Sequence, residues 1–292
     1  MASLPAKKRK PSWLKINLPR DKDYFFVSRT VESNHLHTIC TSARCPNISE
    51  CWSHRTATFL ILGNVCTRNC AFCAVPKGTP APPSPDEPEN VADAASRLGL
   101  RYVVITSVTR DDLPDGGAQH FADTISALRK KNQEIKIEVL IPDFSGDKEA
   151  LETIIRHDPE VLNHNLEVPR ALYPSIHRDP PNYRRSLQVL QTAAEEKMIT
   201  KSGLMIGLGE TDKDIMETFQ DLRDHGCLIL TIGQYLQSTR KNAPVKKYYS
   251  PDEFKDLKKS ALKMGFRQVE SGPLVRSSYR AHRLYRSAAG NA

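Results

Sequence analysis

The chain has 292 residues, 39% of them hydrophobic and 26% charged, with a mean hydropathy of -0.48. That length buries a full core without disulfide help, and no apolar run is long enough for a membrane span, so mini-protein and membrane classes are excluded. The net charge of +8 favours acidic partners, but no basic stripe interleaved with aromatics and no helix-turn-helix or zinc-finger spacing accompanies it, so neither nucleic acid nor membrane is an expected partner.

In chain order, the basic run Lys7-Lys8-Arg9-Lys10 has no signal-length apolar segment behind it. It reads as a solvated arm, with a weak localisation signal as the other reading, and the expected compartment is the cytoplasm. Residues 1 to 55 form an irregular, cysteine-bearing extension in this reading. From there short β-branched apolar runs alternate with helically spaced segments. Six strands are expected, at Thr58 to Leu62, Tyr102 to Thr106, Ile135 to Ile141, Val161 to Asn165, Ser202 to Leu208 and Leu228 to Tyr235. Helical spacing falls on Ala118 to Lys130, Lys148 to His157, Tyr183 to Glu196 and Lys213 to Asp224, with Gly226 at a helix C-terminus. Pro76 to Pro88 reads as a proline-rich connection that is neither helix nor interior strand. Beyond Ser250 come a helix from Pro251 to Met264, a strand-like Gln268 to Glu270, and irregular chain from Ser271 to Tyr279. Near-continuous apolar strands joined by helices pair in parallel. Pattern alone leaves open a doubly wound sheet and a complete or partial TIM-type barrel.

Seven cysteines are an odd number for a disulfide framework, and in a reducing compartment they read as metal or redox ligands. Cys66, Cys70 and Cys73 form C-x3-C-x2-C directly after the first strand, in GNVCTRNCAFCAV. Structural zinc wants four protein ligands, so a compact three fits it poorly. A [4Fe-4S] cluster on three thiolates keeps one iron open to an exogenous ligand, which implies chemistry rather than scaffolding. Cys40, Cys45 and Cys51 form a second set, C-x4-C-x5-C, in CTSARCPNISECW. Cys227 belongs to neither triplet and reads as a small buried hydrophobe.

The first loop, with Phe72 before its last cysteine, resembles that of the radical S-adenosylmethionine superfamily. With the second triplet and the terminal Arg276-Ser277-Ser278-Tyr279, the chain resembles the lipoyl synthase family. The similarity runs from about Trp13 through Tyr279 and takes in TSVTRDDLPDGG, NHNLE, KSGLMIGLGE and LTIGQYLQ.

The resemblance implies an α/β fold, a partial (β/α)6 TIM-type barrel over 56–250, with the extension 1–55 carrying auxiliary cluster ligands and a C-terminal helix and tail, 251–292, completing that site. It implies two [4Fe-4S] clusters and S-adenosylmethionine as cofactors. Cys66, Cys70 and Cys73 would hold the catalytic cluster, and Cys40, Cys45, Cys51 and Ser278 the auxiliary one, with Ser277 the adjacent alternative. The implied reaction inserts two sulfur atoms at C6 and C8 of a protein-bound octanoyl chain. Implied partners are octanoylated lipoyl-carrier domains, a ferredoxin or flavodoxin donor, and an iron-sulfur carrier that rebuilds the auxiliary cluster.

Weaker signals lie at strand ends, where a barrel presents its catalytic edge. Thr106, Ser107, Asn165, Glu167 and Lys201 are candidate cofactor contacts by this argument, Phe72 is one as the aromatic of the cysteine loop that the resemblance rests on, and His164 reads as a packed core histidine. Gly207-Leu208-Gly209 lacks the third glycine and acidic residue of a dinucleotide fingerprint. Two rival readings are another radical enzyme, of the methylthiotransferase or biotin synthase kind, and a zinc-binding scaffold for acidic partners.

Overall fold

The computed structural model describes residues 10–16 and 21–290; Lys7, Lys8 and Arg9 of the basic run lie outside the described residues. The six expected strands all form: β2 (Thr58–Ile61), β3 (Tyr102–Ser107), β4 (Lys136–Leu140), β5 (Val161–Asn163), β6 (Ile199–Ile206) and β7 (Ile229–Gln234). The strand-like segment after them becomes β8 (Gln268–Gly272). Strands β2 to β8 pair in sequence order, every pair parallel. A two-residue β1 (His37–Thr38) adds antiparallel to the free edge of β2. β1 and β8 do not pair with each other, so the curved sheet stays open on one side as a partial barrel.

The parallel register follows from the helices between strands. α4 (Glu87–Arg97), α5 (Ala118–Lys131), α6 (Lys148–Arg156), α7 (Pro181–Glu195) and α8 (Asp212–Asp224) each connect successive strands, and α9 (Pro251–Lys263) precedes β8. Their starts are written in the chain. Thr211 and Asp214 form a reciprocal capping box on α8, as Ser250 and Glu253 do on α9, where Pro251 fills the first turn at no hydrogen-bond cost. Gly226 follows the last turn of α8 at φ +77, the left-handed conformation that a glycine adopts freely.

Three expectations need correction. The extension 1–55 is not irregular over residues 21 to 55: α1 (Lys22–Ser33), α2 (Ile39–Ser42) and α3 (Ile48–Ser53) form there, held by Val27, Val31 and Trp52 packed into the main core. Pro88 does not exclude a helix, because it sits in the first turn of α4, where its missing N–H is harmless. Beyond the tail a further helix, α10 (Ala281–Ala289), buries Ala281, Leu284 and Ala288. α10 packs under the barrel, with Leu284 and Ala288 against Ile229 and the Tyr285 ring tilted at 41° to that of Tyr102 at a centroid distance of 5.6 Å.

Below the barrel mouth lies a buried polar cluster. Lys201 Nζ is 2.8 Å from Glu138 Oε1, and the same carboxylate accepts from Asn163 Nδ2 at 3.0 Å and Tyr102 OH at 2.8 Å. Both charged side chains are 1% exposed. Truncating one partner strands the other charge in the interior. Lys201→Met is therefore expected to lower unfolding free energy by about 3–5 kcal/mol, read by urea titration of the metal-free chain. A loss below about 1 kcal/mol, the scale of an exposed pair, would contradict this.

Candidate active site

The first triplet sits on the loop leaving β2, at the barrel's carboxyl edge. The loop is pinched by hydrogen bonds from Cys66 N to Pro76 O (2.8 Å) and from Gly78 N to Cys66 O (3.1 Å). Asn242 Nδ2, from the β7–α9 connection, donates to Ala71 O at 3.1 Å and to Cys73 O at 2.9 Å. Between the cysteines, Arg68 pairs with Asp111 (2.7 Å) and Asp143 (2.7 Å), which fastens the loop to the β3–α5 and β4–α6 connections. Cys66 Sγ accepts two backbone N–H groups, from Thr109 at 3.3 Å and Arg68 at 3.4 Å.

The second triplet is built by the extension. Cys40 lies in α2 and Cys51 in α3, with Cys45 N bonded to Cys40 O at 2.9 Å between them. The C-terminal tail crosses the open side of the sheet to reach this segment. Asn47 Nδ2 donates to Leu274 O at 2.7 Å, Tyr279 OH to Glu50 Oε1 at 2.8 Å, and Arg280 pairs with Glu50 at 3.2 Å.

Both triplets, Ser277 and Ser278 line one cavity of about 850 Å³. Phe72, Thr106, Ser107, Asn165 and Glu167 line it too. The Thr106 hydroxyl is already committed to Leu140 O at 2.9 Å, whereas the buried Ser107 hydroxyl has no hydrogen-bond partner among the described residues. Asn165 Nδ2 lies 3.2 Å from Glu167 Oε1. Glu167, at φ +72, is held by Glu167 N to Gly203 O (3.1 Å) and Met205 N to Glu167 O (2.7 Å), so its backbone is fastened to β6. Burial raises the Glu167 carboxyl pKa, opposed by the nearby Arg178 guanidinium.

Lys201 is the exception. It does not line the cavity, because β6 starts at Ile199 rather than Ser202. Pairing with Val161 and Leu162 draws Ile199 and Thr200 into the strand and puts Lys201 inside the barrel on Glu138. Gly203 takes the cavity-lining position instead. His164 is a core histidine, bonded to Ile141 O at 2.8 Å and Ser186 Oγ at 2.9 Å, and burial lowers its pKa to about 4. Cys227 is fully buried, with its Sγ donating to Ile229 O at 3.3 Å.

Sequence reasoning missed Arg178. Its guanidinium lies 5.7 Å from the Phe72 ring centroid and faces Cys70 and Glu167. Burial alone would lower its pKa, but those two acidic neighbours raise it, so the charge is firmly held. The one hint was its place in an irregular connection at the carboxyl edge, where barrels keep working residues. Arg276 was also missed; its half-buried guanidinium faces Cys45.

The thiols suit iron-sulfur ligation. Burial pushes Cys73 up to about 11, with Cys70, Cys66 and Glu167 adding to the rise. Burial likewise takes Cys40 to about 11, and Cys51 to about 12 with help from Cys40 and Cys45. Three crowded, desolvated thiols become stable anions only beside a metal cation. Among the described residues, no three His, Cys, Asp or Glu side chains converge closely enough for a single metal ion.

A sequence model of the Radical SAM superfamily matches residues 60–222, which include the first triplet. The open parallel barrel agrees with solved structures of that class. A Streptococcus suis SuiB structure bound to S-adenosylmethionine aligns with a TM-score of 0.58 at 14% identity, covering 78% of this chain and 54% of that one. HydG, a maturase of the [FeFe]-hydrogenase, aligns at 0.56 and 16%, covering 71% and 48%. The chain is thus a radical S-adenosylmethionine protein by fold and by sequence.

Relatives over the whole length narrow the class. Lipoyl synthase of Rubrobacter xylanophilus is 53% identical over 94% of this chain and 85% of its own, and that of Symbiobacterium thermophilum 54% over 94% and 86%. The Bacteroides fragilis lipoyl synthase is 50% identical over 95% and 96%. The chain belongs to the lipoyl synthase family.

Proposed function

We propose that this chain inserts sulfur at C6 and C8 of a protein-bound octanoyl group by presenting two four-iron clusters to one cavity. The observation that carries the reading is the shared cavity: two separately spaced cysteine triplets open onto the same space. Members of this family are radical S-adenosylmethionine sulfurtransferases. When bound, the first cluster with S-adenosylmethionine supplies hydrogen abstraction by a 5′-deoxyadenosyl radical, and the second supplies sulfur.

The chain's own residues do the positioning. Cys66, Cys70 and Cys73 hold the first cluster, and Cys40, Cys45, Cys51 and Ser278 the second. Ser278 is preferred over Ser277 because no hydrogen bond engages its hydroxyl among the described residues, whereas Ser277 is committed to Asn165. A serine oxygen is a weak ligand for iron, which suits an iron that must leave when the cluster gives up sulfur. Asn165, Glu167, Ser107 and Phe72 border the S-adenosylmethionine site, with Arg178 opposing the negative charge that thiolates bring there. Residues 1–55 and 251–292 serve the auxiliary cluster and 56–250 the radical site. A ferredoxin or flavodoxin supplies electrons, an iron-sulfur carrier rebuilds the second cluster, and an octanoylated carrier domain delivers the acyl chain. Among the described residues no helix is long and apolar enough to cross a membrane; a cytoplasmic location fits the reducing chemistry.

The test is anaerobic turnover of an octanoylated carrier domain with S-adenosylmethionine and a low-potential reductant, read by mass. Two inserted sulfurs, from protein carrying about eight irons per chain, are expected. Zinc in place of iron, or 5′-deoxyadenosine formed without sulfur insertion, would contradict the reading.

A further inference from the structure

We infer that Ser277 is a positioning residue that, through Asn165, locks the C-terminal tail to the radical site and so sets where the auxiliary cluster stands relative to the reacting carbon. The inference rests on the two-cluster reading above. The Ser277 hydroxyl sits against the edge of the Asn165 carboxamide, 2.8 Å from Nδ2 and 3.0 Å from Oδ1. The same Nδ2 reaches Glu167. One side chain at the end of β5 therefore joins the acidic wall of the radical site to a residue adjacent to Ser278.

The backbone around this link leaves it little slack. A Cβ at Gly203 would lie 2.8 Å from Ser277 Oγ and 2.7 Å from Asn165 Oδ1. A Cβ at Gly233 would lie 2.2 Å from Val275 O. Neither glycine has a positive φ, so neither is needed for a turn; the want of a side chain is what lets the tail sink into the barrel wall. On its far side the tail is fixed to α3 by Tyr279 and Arg280 on Glu50. Residues 274 to 280 thus form a strap between the sites, pinned at Asn165 and at Glu50.

Hydrogen abstraction is useful only if the carbon then meets the sulfur source, and misplacement by about 1 Å is enough to cost a reaction of this kind roughly a hundredfold. A strap that holds Ser278 in register with the radical site is therefore expected to act on coupling rather than on radical formation.

The test compares Ser277→Ala, Gly233→Ala and Ser278→Ala as anaerobically reconstituted enzymes, alongside hydrogen exchange at residues 274 to 280 of each chain before reconstitution. Ser277→Ala is expected to keep the parental iron content while yielding about tenfold less lipoyl product per 5′-deoxyadenosine, with faster exchange in the strap. Gly233→Ala, whose Cβ displaces the strap at Val275 O, should reproduce the uncoupling without deleting any side-chain hydrogen-bonding group. Ser278→Ala should instead lose auxiliary iron. Parental coupling and parental exchange in Ser277→Ala would overturn the inference, and so would loss of auxiliary iron from it, which would make Ser277 a ligand. If the parent inserts no sulfur, the two-cluster reading has failed, and the exchange measurement still decides whether Ser277 pins the strap.

Discussion

Replacing Cys66, Cys70 and Cys73 together by alanine is expected to abolish 5′-deoxyadenosine formation while leaving about four irons per chain on the auxiliary triplet. The expectation rests on the separation of the two sets. The first loop is secured through Arg68, Asp111, Asp143 and Asn242, none of which holds the segment from Cys40 to Cys51. The second set is secured through Asn47, Glu50 and the tail. Removing three thiols from a loop whose backbone is bonded to Pro76, Ile176 and Ala243 also leaves those bonds in place, so the chain should remain folded. Iron analysis with product detection checks both halves. Continued 5′-deoxyadenosine formation would remove the radical site from this loop, and loss of all iron would mean the two sites assemble as one.

The parts legible in the sequence were those set by short-range rules. Cysteine spacing identified both triplets because a cluster loop must bring rare residues together within a few positions. The six strands were legible because each carries a run of apolar residues buried on both faces. What escaped depends on contacts between distant segments. α2 and α3 were missed because short elements around cysteines and a proline show little periodicity, whereas α1 was within reach, since Val27, Thr30 and Val31 fall on one helical face; Trp52, with Tyr24 at 5.2 Å, stabilises them from the core side. α10 was within reach, since Ala281, Leu284 and Ala288 fall on one helical face, but its role under the barrel depends on Ile229 and Tyr102. Lys201 shows how one boundary decides a function. Reading β6 as starting at Ser202 put the lysine at the rim, whereas its true partner, Glu138, is 63 positions earlier and invisible to any local pattern. Arg178 belongs to the same class, brought to Cys70 and Phe72 by an irregular connection.

Replacing Cys40, Cys45 and Cys51 together by alanine is expected to eliminate lipoyl product while preserving S-adenosylmethionine cleavage. The two readouts part because hydrogen abstraction needs only the first cluster and its bound cofactor, whereas sulfur has to come from the second. The fold should tolerate the change. α3 keeps Trp52 in the core, and the strap keeps Tyr279 and Arg280 on Glu50 and Ser277 on Asn165. Burial pushes the three thiol pKa values up, so at neutral pH they are uncharged in the metal-free chain; removing them relieves no buried charge, and Cys40→Ala takes a buried sulfur out of the core. The metal-free variant should accordingly stay folded but unfold at a somewhat lower urea concentration than the parent. The reconstituted variant should carry about four irons and produce 5′-deoxyadenosine in its cleavage assay. Sulfur insertion at the parental rate would show that the sulfur source lies elsewhere. Loss of cleavage would show that the radical site depends on the auxiliary segment for more than sulfur, with the Ser277–Asn165 contact the first place to look for that dependence.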